Sequence, residues 1–361
     1  MAKFWRVFYC VGDGGRLGHA ILKSDALRAA RMPEVKQVFL TTAYPAGPLN
    51  FGPAWLLEHS SGLEGYAVTE DPEAADIIVF VENHPANDLY FMEVRHHALR
   101  RAYPEKCVLY HDADRSVTPM RTIAPNVARW QYNPRSKATF HFLARLCENE
   151  AVNQTADFET ERHWLFSFDG TARTNPIRKR VLALEHPRAK IVDRGAAKAW
   201  EMTEAEKADY QQAYVDGILG SHFVLCPAGI GPASCRLFET LQMGRPPVII
   251  ADQWIPVDGV DWDACSVRVR ERDIEKLPAI LEEREPEAVA MGRRAREVWE
   301  RHFSPEVSLQ RLCETADRLV RNRYGAVDWL RDVWQFLEPY HFRGLVRYLL
   351  RYRGTTGRGE G

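Results

Sequence analysis

Apolar residues along this chain fall into short runs bounded by turn-forming residues. In the first half these are Phe4–Cys10, Val38–Thr41, Ile77–Val81 and Cys107–Tyr110. In the second half they are Trp164–Phe168, Ile191–Asp193, Phe223–Cys226, Val248–Ile250 and Ser266–Val269. Runs of this length and composition predict buried strands. Between them, apolar positions recur at helical spacing and predict helices over Tyr90–Ala102, Phe140–Glu148, Pro176–Glu185, Glu204–Leu219, Ser234–Met243 and Ile274–Glu283. Strands alternating with helices imply parallel sheets covered on both faces. The alternation occurs twice, with the polar, weakly patterned Asn149–Thr160 as linker, and from Pro286 the pattern is helical only. The expected fold class is therefore α/β: two Rossmann-like domains facing across a cleft, residues 1–155 and 156–305, followed by C-terminal helices over 306–361. Open sheets of this kind bind ligands beyond the carboxyl ends of their strands.

One stretch concentrates the candidate chemistry. Ser221–Asp252 reads as strand, glycine-rich turn, short helix, glycine stop and strand. Gly229 and Gly231 allow a sharp turn and close approach of the backbone to a ligand. The helix opening at Ser234 presents free N–H groups and a positive dipole end, which suit a phosphate. Ser234 is also a suitable N-cap. Arg236 offers a planar donor fork for a diphosphate, or an i,i+3 partner for Glu239. Leu237 and Leu241 share one face, so Glu239 is expected to look away from the core into a cleft.

Composition narrows the class. The 361 residues carry a net charge of −1, which gives no global field for nucleic acid. Seven cysteines, scattered and without a C-x-x-C pair, fit reduced thiols better than disulfides or zinc. The N-terminal apolar run is too short for a signal peptide, and there is no membrane-spanning stretch of about 18 apolar residues.

Several motifs, in order, resemble the exostosin family of glycosyltransferases. They are Cys226-Pro227-Ala228-Gly229, then Ser234-Cys235-Arg236-Leu237-Phe238-Glu239, then Gly244-Arg245-Pro246-Pro247-Val248-Ile249-Ile250. Flanking matches are Thr69–Asp76, Phe168-Asp169-Gly170 with Arg178, Ile255-Pro256 and Asp261-Trp262. The resemblance is good over Trp164–Leu281, thin before it and absent from the carboxyl-terminal end. It implies the two-Rossmann arrangement called GT-B and an inverting transfer of sugar from a nucleotide sugar, most simply a UDP-sugar, to a glycan hydroxyl in polysaccharide or glycoconjugate synthesis. The donor is then a substrate, and no permanently bound cofactor is implied. Glu239 would hold the donor ribose. Gly170, Arg173, Arg178, Gly229, Ser234 and Arg236 would surround the diphosphate, whose charge grows in the transition state. Animal members carry a membrane anchor; the expectation here is a cytoplasmic enzyme acting on a glycan or lipid-linked glycan.

The base that deprotonates the acceptor is expected from a loop of the first domain. Asp13 with His19, Glu82 with His84, and His111-Asp112-Ala113-Asp114 all follow strands; Asp114 and Asp13 are the favoured residues. Asp112 and Asp114 also form a D-x-D, which in a metal-dependent transferase would hold manganese or magnesium. A catalytically inactive sugar-nucleotide or glycan-binding partner of a transferase, and a sugar-nucleotide epimerase, are the other readings. At the carboxyl end, Phe342, Leu345, Val346 and Leu349 share a helix face beside Arg343, Arg347 and Arg351. Such a basic amphipathic helix either packs back on the first domain or touches the inner face of a membrane.

Overall fold

The computed structural model describes residues 35–45, 50–82, 88, 90–115, 117–143, 149–153, 160–195 and 202–355, with backbone alone for 348, 349 and 351–355. The strand expected at Phe4–Cys10, the Asp13 and His19 loop, and His84 lie outside the described residues.

Among the described residues the first sheet has six parallel strands: β1 (Lys36–Thr41), β2 (Tyr66–Val68), β3 (Ile77–Glu82), β4 (Cys107–His111), β5 (Thr122–Ala124) and β6 (Lys137–Thr139). Their order is β2-β1-β3-β4-β5-β6. Every residue of β3 and β4 is buried, as continuous apolar runs at the centre of a parallel sheet should be. Among the described residues the helices of this half are α1 (Gly52–His59), α2 (Met92–His96) and α3 (Ala98–Ala102). The single helix expected over Tyr90–Ala102 is thus two, because His97 is extended (φ −60°, ψ 144°) and caps α3 by accepting from Leu99 N–H. The helix expected at Phe140–Glu148 is not formed over Phe140–Leu143, which continues irregularly out of β6. A short helix, α4 (Glu150–Asn153), sits in the expected linker.

The second sheet has five parallel strands: β7 (Trp164–Gly170), β8 (Ala189–Asp193), β9 (Ser221–Pro227), β10 (Pro247–Ile250) and β11 (Val267–Arg268). Their order is β11-β10-β9-β7-β8, so the winding reverses between β7 and β9. Around this sheet lie α5 (Pro176–Leu182), α6 (Glu204–Leu219), α7 (Cys235–Gln242), α8 (Trp262–Cys265), α9 (Leu277–Arg284) and α10 (Ala288–His302). Helix α6 opens on a capping box between Thr203 and Glu206, which satisfies N–H groups the helix itself leaves free.

Three helices close the chain: α11 (Pro305–Arg321), α12 (Ala326–Trp334) and α13 (Pro339–Thr355). Leu309, Leu312, Cys313, Ala316 and Leu319 of α11 recur at helical spacing and join the apolar core of the first sheet. The halves are stitched together where Ala128 bridges Trp254, Arg129 N–H donates to the Gln253 carbonyl at 2.8 Å, and the Thr139 hydroxyl donates to the Pro256 carbonyl at 2.9 Å.

Candidate functional site

A reversal of strand order opens a crevice at the carboxyl ends of the two strands concerned. Here those ends are Gly170 on β7 and Pro227 on β9. A side-chain carbon at Gly170 would lie 2.9 Å from Phe168 Cζ and 3.1 Å from Arg236 Nη2, so glycine leaves room for that guanidinium. Beyond β9, Gly229 N–H donates to the Gly231 carbonyl at 3.0 Å, and Asn175 Nδ2 donates to the Gly229 carbonyl at 2.9 Å. At Gly231 a side-chain carbon would stand 2.3 Å from Asn126 Oδ1 and 2.7 Å from the Asp114 carbonyl, a clash that only glycine avoids. Asn126 Oδ1 in turn accepts from Ala233 N–H at 3.0 Å. The glycine-rich loop is thereby held against the first half of the molecule.

Arg178 and Arg236 meet over one aromatic ring. Their guanidinium carbons lie 5.9 Å and 4.7 Å from the centroid of Phe168. Arg178 Nε donates to the Ala228 carbonyl at 2.9 Å, and Arg236 Nη2 donates to the Asp169 carbonyl. Arg236 is buried, and its Nε and Nη1 have no hydrogen-bond partner. Among the described residues neither guanidinium forms a salt bridge; the Asp169 carboxylate is taken by Arg194, at 2.6 Å to Nε. Burial and then the charge of Arg236 pull the Arg178 guanidinium down to about 10. Burial works against the charge of Arg236, but Tyr214, Cys226, Glu239 and Asp169 nearby hold its pKa above the ordinary value, so this cation stays charged with two donor nitrogens unmet.

Ser234 occupies the N-cap of α7 but makes no side-chain capping bond, so its hydroxyl is not spent on the helix. Arg173 does not join the pair: it is exposed and its Nη2 donates to the Gly195 carbonyl at 2.8 Å. Glu239 departs from expectation. It is only 7% exposed, and its Oε2 accepts from the Tyr214 hydroxyl at 2.5 Å. Helix α10 packs along α7 and Tyr214 of α6 reaches its Glu239, which a one-face reading of Leu237 and Leu241 does not anticipate. The charge of Glu239, after burial itself, holds the Tyr214 hydroxyl well above its ordinary pKa.

Between the halves lies a cleft of about 400 Å³, lined among others by Asp114, Asn126, Asn175, Ala228, Gly231 and His341. Asp114 is exposed at its lip, beside the glycine-rich loop. Asp112 is half-buried, and among the described residues no group of three or more His, Cys, Asp or Glu side chains is arranged to hold a metal ion. The other strand-end candidates turn inward. Glu82 accepts from Thr42 Oγ1 and Ala43 N–H, both at 2.7 Å, and burial raises its pKa. His111 is buried and stacks on Phe91 at 4.6 Å. His341 is a cleft residue that the sequence reading omits. It is buried with Nδ1 unpartnered, and burial above all lowers its pKa. Nothing local marks it, since apart from its neighbours Glu338 and Tyr340 the cleft residues are remote from it in sequence.

Two parallel sheets, each with a reversal of strand order and both bordering one cleft, define a fold of the two-Rossmann, GT-B type. The chain belongs to the exostosin family: the Exostosin GT47 domain matches residues 95–284, more than half of its length. A probable glucuronosyltransferase of Oryza sativa subsp. japonica is 38% identical over 96 residues, covering 24% of this chain and 23% of that protein. Exostosin-1 of Drosophila melanogaster is 24% identical over 185 residues, covering 47% of this chain and 24% of that protein. A probable β-1,4-xylosyltransferase of Arabidopsis thaliana, IRX10, is 37% identical over 75 residues, 20% of this chain and 18% of that protein. The chain thus spans less than a quarter of the length of these curated relatives. Among solved structures, Anabaena HepE in complex with UDP aligns with a TM-score of 0.39 at 11% identity, over 78% of this chain and 99% of that one.

Proposed function

We propose that this protein is a glycosyltransferase that moves a sugar from a UDP-sugar to a glycan hydroxyl with inversion. The observation that carries this reading is the Arg178–Arg236 pair, gathered over Phe168 with two Arg236 donor nitrogens unmet, at the strand-order reversal of the second sheet. A buried charged donor with unmet hydrogen bonds costs about 1–3 kcal/mol or more, and a diphosphate would offset that cost. The pair would stabilise the charge that builds on the leaving diphosphate as the sugar–oxygen bond breaks. The Ser234 hydroxyl and the start of α7 would add donors to the same anion. Glu239, beside Arg236 and held by Tyr214, is assigned to the ribose.

Across the cleft, Asp114 is assigned as the base. The acceptor oxygen attacks the anomeric carbon, its proton passes to the Asp114 carboxylate, and the electron pair of the broken bond leaves on the diphosphate. Family membership and relatives named as probable glucuronosyl- and xylosyltransferases support sugar transfer as the reaction class. The acceptor assigned here is a glycan, free or lipid-linked. The test is incubation with a panel of UDP-sugars, following UDP release and sugar transfer. Turnover with one donor, lost in Asp114→Asn while UDP binding persists, is the expected outcome. UDP binding without turnover on any donor or acceptor would instead favour a sugar-nucleotide-binding partner.

A further inference from the structure

Helix α12 is built inside out. On one side, Asp328 and Asp332 are buried, as is Gln335 in the turn that follows the helix. Asp328 accepts from Gly325 N–H at 3.1 Å and Asn133 Nδ2 at 3.3 Å. Asp332 accepts from the Tyr324 hydroxyl at 3.0 Å and lies 3.3 Å from Lys137 Nζ, while Gln335 Nε2 donates to the Gln131 carbonyl at 3.1 Å. On the other side, Val327 is 77% exposed, Leu330 58% and Trp334 73%, and Leu337 in the following turn is 53% exposed. Their spacing places them on one stripe. The buried polar anchors fix this orientation, because turning the helix to hide its apolar side would take from the buried Lys137 the Asp332 carboxylate that balances its charge. The outward apolar face is therefore a held feature of the fold, of the kind that marks an interaction surface.

Basic residues rim the stripe. Trp329 lines a recess of about 310 Å³ together with Arg95, Arg100 and Arg101, and among the described residues no carboxylate lines it. Arg331 borders a hollow on the other side, next to Trp130 and Trp334. The acid there, Glu338, is engaged in capping α13, accepting from Tyr340 and His341 N–H at 3.0 and 3.1 Å. Helix α13 repeats the composition. Leu345 packs inward against the cluster containing Tyr90, while Phe342, Val346 and Leu350 are exposed alongside Arg343 and Arg347.

We propose that the α12 stripe and the Arg95–Arg100–Arg101 recess seat this protein on the headgroup layer of an anionic membrane. Tryptophan and leucine would enter the interface, and the arginines would meet lipid phosphates. No described helix is long and apolar enough to cross a bilayer, so the contact would be peripheral. A second copy of the chain fits this surface less well, since joining two such faces would set arginine against arginine. The proposal stands apart from sugar transfer and from the UDP site.

The test is co-sedimentation of the full chain with vesicles of phosphatidylcholine alone and of phosphatidylcholine with phosphatidylglycerol. Binding is expected to the anionic vesicles and to weaken as salt rises. Arg100→Glu combined with Arg101→Glu, and separately Leu330→Glu combined with Trp334→Glu, are each expected to weaken it about tenfold or more. Thermal unfolding followed by circular dichroism should be unchanged in both, because all four positions lie on the surface being tested. Absent sedimentation at low salt, or equal sedimentation by the folded variants, would overturn the proposal. So would a concentration-dependent dimer in ultracentrifugation that Leu330→Glu with Trp334→Glu dissolves, which would make the occupant a second copy.

Discussion

Arg236 holds two donor nitrogens away from water with nothing to receive them, and its neighbour Glu239 is anchored rather than open. This separates two substitutions that look equivalent in sequence. Glu239→Gln keeps an acceptor for the Tyr214 hydroxyl and removes the charge. It is expected to retain the melting temperature and to weaken UDP binding. Glu239→Ala should in addition destabilise the fold by about 1–3 kcal/mol, since the buried Tyr214 hydroxyl loses its partner. Calorimetry and thermal melts on both variants check this, and equal UDP affinity in Glu239→Gln and the parent would remove Glu239 from the ribose. A third residue sets a pH response. Burial pushes His111 from its ordinary 6.5 down to about 3, with the charge of Lys137 acting the same way. The folded protein keeps this imidazole neutral while the unfolded chain protonates it. Its contribution to stability is complete above pH 6.5 and is lost as pH falls toward 3. Unfolding in urea across that window should show the decline, and His111→Phe, which can still stack on Phe91, should flatten part of it.

Among the elements, α11 binds the end of the chain to the first sheet through a continuous apolar stripe. Leu312 is fully buried in it, so Leu312→Ala is expected to cost about 2–5 kcal/mol in urea unfolding. Strands β3, β4, β9 and β10 are legible in the sequence because a parallel sheet buries both their faces and leaves unbroken apolar runs. Strands β5 and β6 are not, since Thr122, Lys137 and Thr139 are polar yet buried. Their burial is satisfied by partners such as the Thr118 hydroxyl and the Met120 carbonyl, at 2.8 Å from Thr122 and 2.9 Å from Lys137 respectively, which no periodicity reveals. The same holds at the site. The glycine loop and the Ser234–Glu239 helix announce themselves by local pattern, whereas Asn126, Tyr214 and His341 reach it only through tertiary packing.

At the scale of the molecule, the proposed site joins cations at the end of the second sheet to a carboxylate at the lip of the cleft between the sheets. A site that balances phosphate charge with arginines and a helix start needs no divalent ion. Transfer activity is therefore expected to survive chelation by EDTA; loss in chelator with recovery in manganese would assign Asp112 and Asp114 to a metal instead. The central claim is that Arg178 and Arg236 receive a nucleoside diphosphate. Calorimetric titration of UDP and UMP into the parent protein and Arg178→Gln tests it most directly, because Arg178 is less buried than Arg236 and its loss leaves the Asp169 carbonyl contact in place. UDP is expected to bind the parent more tightly than UMP, and Arg178→Gln to weaken UDP by about 1.5–3 kcal/mol while moving UMP less. Equal UDP affinity in parent and folded variant, or UMP binding as tightly as UDP, would contradict the assignment.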